Sequence, residues 1–114
     1  MALQIDPRLT PEALLPAITR LFELSAAKLD DLDRRWPADR GAPVYTVKGR
    51  YACRGWTEWT QGFQIGAALL QYEATGDRSF LERGRRQTLE RMASHVSHMG
   101  VHDHGFNIVS TYGN

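Results

Sequence analysis

Cysteine, net charge and long apolar runs are all scarce in this sequence, and each scarcity excludes a class of protein. Cys53 is the only cysteine, so no intrachain disulfide can form and a reducing compartment is the simpler assumption. The formal net charge is +1, which gives no electrostatic case for binding nucleic acid or an anionic membrane surface. No apolar run approaches the roughly 18 residues that a membrane-spanning helix needs.

Targeting segments and common nucleotide or serine-hydrolase motifs are absent as well. The first residues lack the basic and apolar segments of a secretory signal, and no P-loop, dinucleotide glycine pattern or serine-elbow motif occurs. A chain of 114 residues is one domain at most, with a modest core. We therefore expect residues 1–114 to form a single cytoplasmic domain.

The first third of the chain predicts one long amphipathic helix. Thr10-Pro11-Glu12 is a helix-start signal, but Pro16 would remove a hydrogen bond one turn later, so either the first turn is separate or the regular helix starts nearer Leu15. The helix should end at Trp36-Pro37. Its apolar face comprises Leu14, Ile18, Leu21, Phe22, Leu29, Leu32 and Trp36, with a solvated charge run opposite.

Residues 37–56 are rich in proline and glycine and predict a loop. Within it, Val44 to Val47 is a candidate short strand, although no partner strand is evident. The second helix should begin near Thr57, capped by its hydroxyl, and end at Thr75. Gly62 and Gly66 leave a flat strip on it for another backbone. Its apolar residues, which predict an inner helix, are Trp59, Phe63, Leu70 and Ala74, broadened by Ile65, Leu69 and Tyr72.

Gly76 suits the left-handed residue that ends a helix, and Asp77 suits the cap of the next one. The third helix should run from about Arg78 to Met99 and stop at Gly100. Its buried residues are predicted to be Phe80, Leu81, Gly84, Thr88, Met92 and Val96, with Glu82, Arg83, Arg85, Arg86, Glu90 and Arg91 in solvent. A fourth helix should open over Phe106 to Tyr112. These periodicities indicate an all-α fold.

Three ordered blocks in the second half resemble the unsaturated glucuronyl hydrolases and the related rhamnogalacturonyl hydrolases. The first is a Trp-Thr-x-Gly-Phe-x-x-Gly block at 59–66, the second a Tyr-Glu-x-Thr-Gly-Asp turn at 72–77, and the third a His-Asp-x-Gly-Phe block at 102–106. One departure from the family pattern is Gln64-Ile65, where an aromatic residue followed by proline is frequent. That departure concerns sugar specificity rather than fold.

The resemblance implies the N-terminal portion of an (α/α)6 barrel and a glycosidase chemistry without a cofactor. It implies an oligosaccharide substrate ending in an unsaturated uronic acid, which is hydrated at its C4=C5 double bond. Asp103 corresponds to one of two functional aspartates, and Trp59 and His102 are the candidate substrate-binding residues. Because the second carboxylate and most of the barrel are missing, we expect this chain to be inactive alone.

Each candidate also has a structural interpretation. Asp103 can simply cap the following helix, Trp59 can be ordinary core packing, and His102 can be structural. Phe63 and Phe106 are predicted to be core residues.

Two other functions stay open. His95, His98, His102 and His104 with Asp103 form a dense group that suggests a metal site, although its spacing matches no known zinc motif. Alternatively, the apolar faces that a partial barrel exposes suggest a non-enzymatic helical module that self-associates.

Overall fold

The computed structural model describes residues 4–114, of which 62% are helical and 5% lie in strands. The described elements are α1 (Pro11–Arg35), a 3-10 turn (Ala38–Arg40), β1 (Tyr45–Val47), β2 (Arg50–Ala52), α2 (Thr60–Thr75), α3 (Arg78–Arg91), α4 (Ala93–Ser97) and α5 (His104–Val109). The described chain is thus mostly helical, which is compatible with the expected all-α fold. None of the described helices combines the length and apolarity that crossing a membrane requires.

Helix α1 begins where Thr10 caps it, because the Thr10 hydroxyl accepts the Ala13 N–H at 3.2 Å. The expected interruption at Pro16 is wrong, since the helix continues through it to Arg35. Residues 11–20 are all exposed, so water can bond the carbonyl that Pro16 leaves without a donor. The end before Pro37 is confirmed, with Trp36 extended.

No residue of α1 is fully buried, and three polar contacts link this helix to α2 and α3. The Gln71 amide donates to the Phe22 carbonyl at 3.0 Å. Arg83, expected in solvent, instead keeps only 16% of its side chain exposed and pairs with Asp30 at 2.5 Å. Gln87 adds a bond to Asp33 at 2.9 Å. The expected solvation of Arg83 is therefore wrong, because it pairs with α1. The charge run of α1 is mostly exposed, as expected, with Asp31 half-buried and Asp30, Asp33, Arg34 and Arg35 exposed.

The lone candidate strand has a partner. β1 and β2 form an antiparallel hairpin in which Tyr45 faces Ala52 and Val47 faces Arg50. Lys48 and Gly49 make its two-residue turn with φ of 47° and 75°, the geometry that a tight hairpin needs. The interpretation of residues 37–56 as a loop was wrong here. Asparagine or glycine is usual at the turn position that Lys48 occupies, so the sequence did not indicate a hairpin turn.

Helices α2 and α3 form a hairpin around Gly76 and Asp77. Gly76 has φ of 74° and the Asp77 carboxylate accepts the Ser79 N–H at 2.9 Å, so both predicted turn residues are confirmed. Leu69 and Gly84, nearly equidistant from the turn, are packed so closely that a Cβ on Gly84 would collide with Leu69. The two helices are therefore antiparallel neighbours in direct contact.

The predicted third helix is interrupted at Met92. α3 ends at Arg91 and α4 covers Ala93–Ser97, joined by a tightened turn in which the His95 N–H bonds the Met92 carbonyl at 3.0 Å. The turn rotates the inward position from Val96, which is 65% exposed, to His95, which is 3% exposed. The expected burial of Val96 was wrong for this reason, and Leu81 is only half-buried. Burial of Phe80, Gly84, Thr88 and Met92 is confirmed.

The interior contains polar as well as apolar side chains. The buried apolar residues are Ala42, Ile65, Ala68, Leu69, Phe80 and Met92, and the buried polar ones are Gln61, Gln71, Thr88, His95, His104, Asn107 and Thr111. Many large apolar side chains remain exposed, including Leu15, Leu21 and Leu70. Hydrogen bonds of buried polar side chains therefore help to position the helices, in addition to apolar packing.

Candidate functional site

Helix α5 lies directly on the glycine strip of α2. A Cβ on Gly62 would overlap the backbone of Asn107, and a Cβ on Gly66 would overlap the backbone of Ser110. The predicted close approach of another backbone at these two glycines is confirmed. It brings the first and third sequence blocks, which lie some forty residues apart in the chain, into contact.

Asn107 fixes the position of α5 on α2. Its side chain is completely buried, its Oδ1 accepts the Gly62 N–H at 2.7 Å, and its Nδ2 donates to the Glu58 carbonyl at 3.3 Å. The Gly62 N–H lies in the first turn of α2, where it has no intrahelical partner. Sequence reasoning missed Asn107, and the only available signal was the glycine strip that it bonds.

The start of α2 lies three residues later than expected. The helix begins at Thr60, and its N-cap residue is Trp59, which makes no side-chain capping bond, so the expected Thr57 cap is wrong. The Trp56 carbonyl accepts instead from the side chains of Gln61 and His95, and the Glu58 carbonyl from Asn107. Because tertiary contacts engage these carbonyls, residues 57–59 form turns rather than a helical segment.

Trp59, Phe63 and Phe106 form one exposed aromatic surface. The Trp59 ring lies 5.3 Å from Phe63 and 6.0 Å from Phe106, and Phe63 lies 5.9 Å from Phe106, centroid to centroid. The three side chains are 42%, 45% and 50% exposed respectively. The prediction that Phe63 and Phe106 are core residues is therefore wrong, as is the inner position expected for Trp59 and Leu70. Within residues 4–114, that face of α2 is left partly uncovered.

His102 and Asp103 pair just before α5. The His102 Nε2 lies 3.0 Å from the Asp103 Oδ1, and the His102 side chain is 93% exposed while Asp103 keeps 30%. The Asp103 carboxylate does not cap the helix, so capping is not what this side chain does here. The Asp103 backbone carbonyl accepts the Phe106 N–H at 3.1 Å. Asp103 therefore lies one helical turn before Phe106, and the Phe106 ring contacts Trp59.

The fourth helix begins earlier than expected, at His104 rather than Phe106, and ends at Val109. His104 and His95 are buried, and they lie together with His98 around Trp56. Within residues 4–114, no three histidine, cysteine, aspartate or glutamate side chains are grouped so that they could hold a metal ion. The structure thus gives the metal-site hypothesis no support.

No family model, curated protein or solved structure matches this chain.

Proposed function

We propose that this chain forms the sugar-facing start of an α/α-barrel glycosidase similar to the unsaturated uronyl hydrolases. The observation that carries the proposal is the contact of α5 with the glycine strip of α2. It brings Phe106 of the His102–Phe106 block against Trp59 and Gly62 of the Trp59–Gly66 block. Two separate motifs that meet in space are more informative than either motif alone.

The aromatic surface supports binding of a sugar ring. Half-exposed Trp59, Phe63 and Phe106 offer flat apolar area, and aromatic faces pack well against apolar C–H groups. The exposed ring of His102, four residues before Phe106 in the chain, supplies a polar donor in the same sequence block. A protonated or N–H-bearing imidazole there can bond the carboxylate of a uronic acid.

The His102–Asp103 pair supports a proton-transfer role for Asp103. Hydration of the unsaturated uronate adds a proton to C4 and water to C5, after which the hemiketal opens and releases the remaining sugar. A carboxyl group must deliver the proton to C4, and a carboxylate must take one from the water. Asp103, partly exposed and not used in capping, is free for one of these duties. The other duty falls to a second carboxylate that these residues do not supply.

The exposed apolar faces support the barrel architecture. Leu21 and Leu70 lie on adjoining faces of α1 and α2 and are 60% and 52% exposed, in a groove that Phe22 and Ala67 also line. In a complete α/α barrel, further helical hairpins would cover such faces. We accordingly propose that this segment binds the sugar but does not turn it over by itself.

Titration of the isotope-labelled chain with an unsaturated uronyl disaccharide tests the proposal. We expect NMR shift changes at the Trp59 indole N–H and the Asp103 amide, weaker changes with the saturated disaccharide, and no loss of the double bond's ultraviolet absorbance. Trp59→Ala should abolish the shifts. Tyr45→Ala, at an equally exposed aromatic residue of the hairpin, should preserve them. An unchanged spectrum at millimolar sugar would refute the assignment.

A self-associating helical module is a second candidate, favoured by the amount of exposed apolar surface on α1. Leu14, Leu15, Ile18, Leu21 and Leu24 are between 38% and 61% exposed, and contiguous patches of this kind promote association. Sedimentation distinguishes the candidates. An oligomer that Leu21→Glu dissociates, while Leu89→Glu on α3 does not, would support the module. A monomer at all concentrations would exclude it.

A further inference from the structure

Trp56 lies at the centre of three histidines contributed by two other parts of the chain. Its ring centroid is 5.2 Å from that of His95, 4.8 Å from His98 and 5.8 Å from His104, with the last nearly stacked at 25°. His95 belongs to α4, His98 directly follows it, and His104 opens α5. These four residues, here called the Trp56–histidine cluster, join the segment before α2 to α4 and α5.

Of two hydrogen bonds in the cluster, one persists in either protonation state and the other depends on it. The His95 Nε2 lies 3.0 Å from the Trp56 carbonyl, which only accepts, so this nitrogen carries a hydrogen. The His98 Nδ1 lies 2.7 Å from the His104 Nε2, and a bond between two ring nitrogens needs one hydrogen between them. A pair with at most one positive charge can make that bond. When both rings are protonated, two N–H groups face each other and the bond is lost.

Burial makes the second proton costly. His104 is 6% exposed, and its Nδ1 is buried with no hydrogen-bond partner. Burial lowers the pKa of His104, the neighbouring His95 and His98 lower it further, and the Asp103 carboxylate acts in the opposite direction. Asp103 is itself paired with His102. The titratable groups that act on His104 are therefore His95 on α4, His98 at the C-terminal end of α4, and Asp103 in the α4–α5 connection.

We propose that the Trp56–histidine cluster is a pH-sensitive switch that holds α4 and the start of α5 against the segment before α2 when neutral and releases them on acidification. The switch does not depend on the sugar-binding proposal, because it rests on the imidazole contacts alone. Its release would displace the α4–α5 connection, where Gly100 has φ of 101°. The same connection carries His102 and Asp103.

NMR spectra of the whole chain, recorded between pH 8 and pH 5 and followed at the histidine ring and Trp56 indole signals, test the switch. We expect the ring signal of His104 and the Trp56 indole signal to change together at one midpoint, while far-ultraviolet circular dichroism keeps its helical intensity. Independent titration of His104 with an unchanged Trp56 signal would refute the proposal. Loss of helical intensity at the same midpoint would refute it too, because that result means global unfolding.

Matched variants separate the cluster from its neighbours. His98→Gln, at an exposed position, removes one ring of the bonded His98–His104 pair but keeps hydrogen-bonding capacity, so the Trp56 transition should disappear or move by at least about one pH unit. His102→Gln removes a histidine outside the cluster and keeps the His98–His104 bond, so the Trp56 transition should persist with at most a small shift of its midpoint through Asp103. If both variants behave alike, the transition does not arise from the His98–His104 contact and the proposal fails.

Discussion

Gly62 donates its backbone N–H to the buried side-chain oxygen of Asn107 across 2.7 Å, and its missing Cβ leaves room for the Asn107 backbone itself. This one relationship sets α5 against α2. It therefore determines where Trp59, Phe106 and the His102–Asp103 pair lie with respect to one another. Each of these side chains takes part in the proposed sugar surface.

A methyl group at Gly62 should separate the two helices. In Gly62→Ala, the new Cβ would overlap the Asn107 backbone, and relieving such an overlap typically costs about 1–3 kcal/mol. Urea denaturation measures the loss. Gly105→Ala is the matched control, because nothing lies within 4 Å of its Cβ. That variant should be neutral or up to about 1 kcal/mol more stable.

Truncation of Asn107 should destabilise the protein through unpaired backbone groups. Asn107→Ala leaves the buried Gly62 N–H without its partner and removes one of two donors to the Glu58 carbonyl, and a buried unsatisfied group costs about 1–3 kcal/mol. Thermal denaturation measures the effect, with exposed Asn114→Ala as the control. Equal stability of the two variants would contradict the role assigned to Asn107.

Asp103 should be dispensable for folding but not for the proposed function. Because its carboxylate caps nothing, Asp103→Asn should change the free energy of unfolding by no more than about 0.5 kcal/mol while weakening the NMR response to the unsaturated disaccharide. Asp77→Ala provides the contrast, since Asp77 does cap α3 and its removal should lower the melting temperature. A large stability loss in Asp103→Asn would restore the structural interpretation.

Acidification should destabilise the fold through His104. Burial holds the pKa of His104 below the ordinary histidine value, so the unfolded chain binds a proton more readily than the folded one. The contribution of this group is therefore complete above about pH 6.5 and is lost as the pH falls below it. Urea denaturation at pH 7.5 and pH 5.5 measures the difference. His104→Gln should reduce it, and His102→Gln should not.

The hairpin turn should accept asparagine better than lysine. Lys48 has a positive φ of 47°, which asparagine tolerates with less strain, and Asn-Gly is favoured in this turn. Lys48→Asn should stabilise the hairpin by up to about 1 kcal/mol, whereas Gly49→Ala, at φ of 75°, should cost about 1–2 kcal/mol. Hydrogen exchange of the Val44 amide, which bonds the Ala52 carbonyl, reports both changes.

Residues that act locally were predictable, and Gly76 and Asp77 illustrate why. A left-handed helix end and a helix cap depend on backbone conformation and on a side chain two residues away, so the local sequence specifies them. The same holds for the Thr10 cap and for the end of α1 before Pro37. Gly62 and Gly66 also predicted the close approach of another backbone. They did not predict that this backbone would be that of α5.

The sequence by itself determined the helical architecture, the α2–α3 turn and the glycine strip, because hydrophobic period, capping and conformational freedom are encoded within a few neighbouring residues. Only the tertiary structure decided that Asn107 bonds Gly62, that Trp56 sits among three histidines and that α2 starts at Thr60. Those outcomes arise from contacts between residues some forty positions apart, and such contacts compete with local preferences and override them. The burial of His95 in place of Val96 is a further departure from the local pattern. The tightened turn at Met92 rotates α4, so that His95 rather than Val96 faces inward.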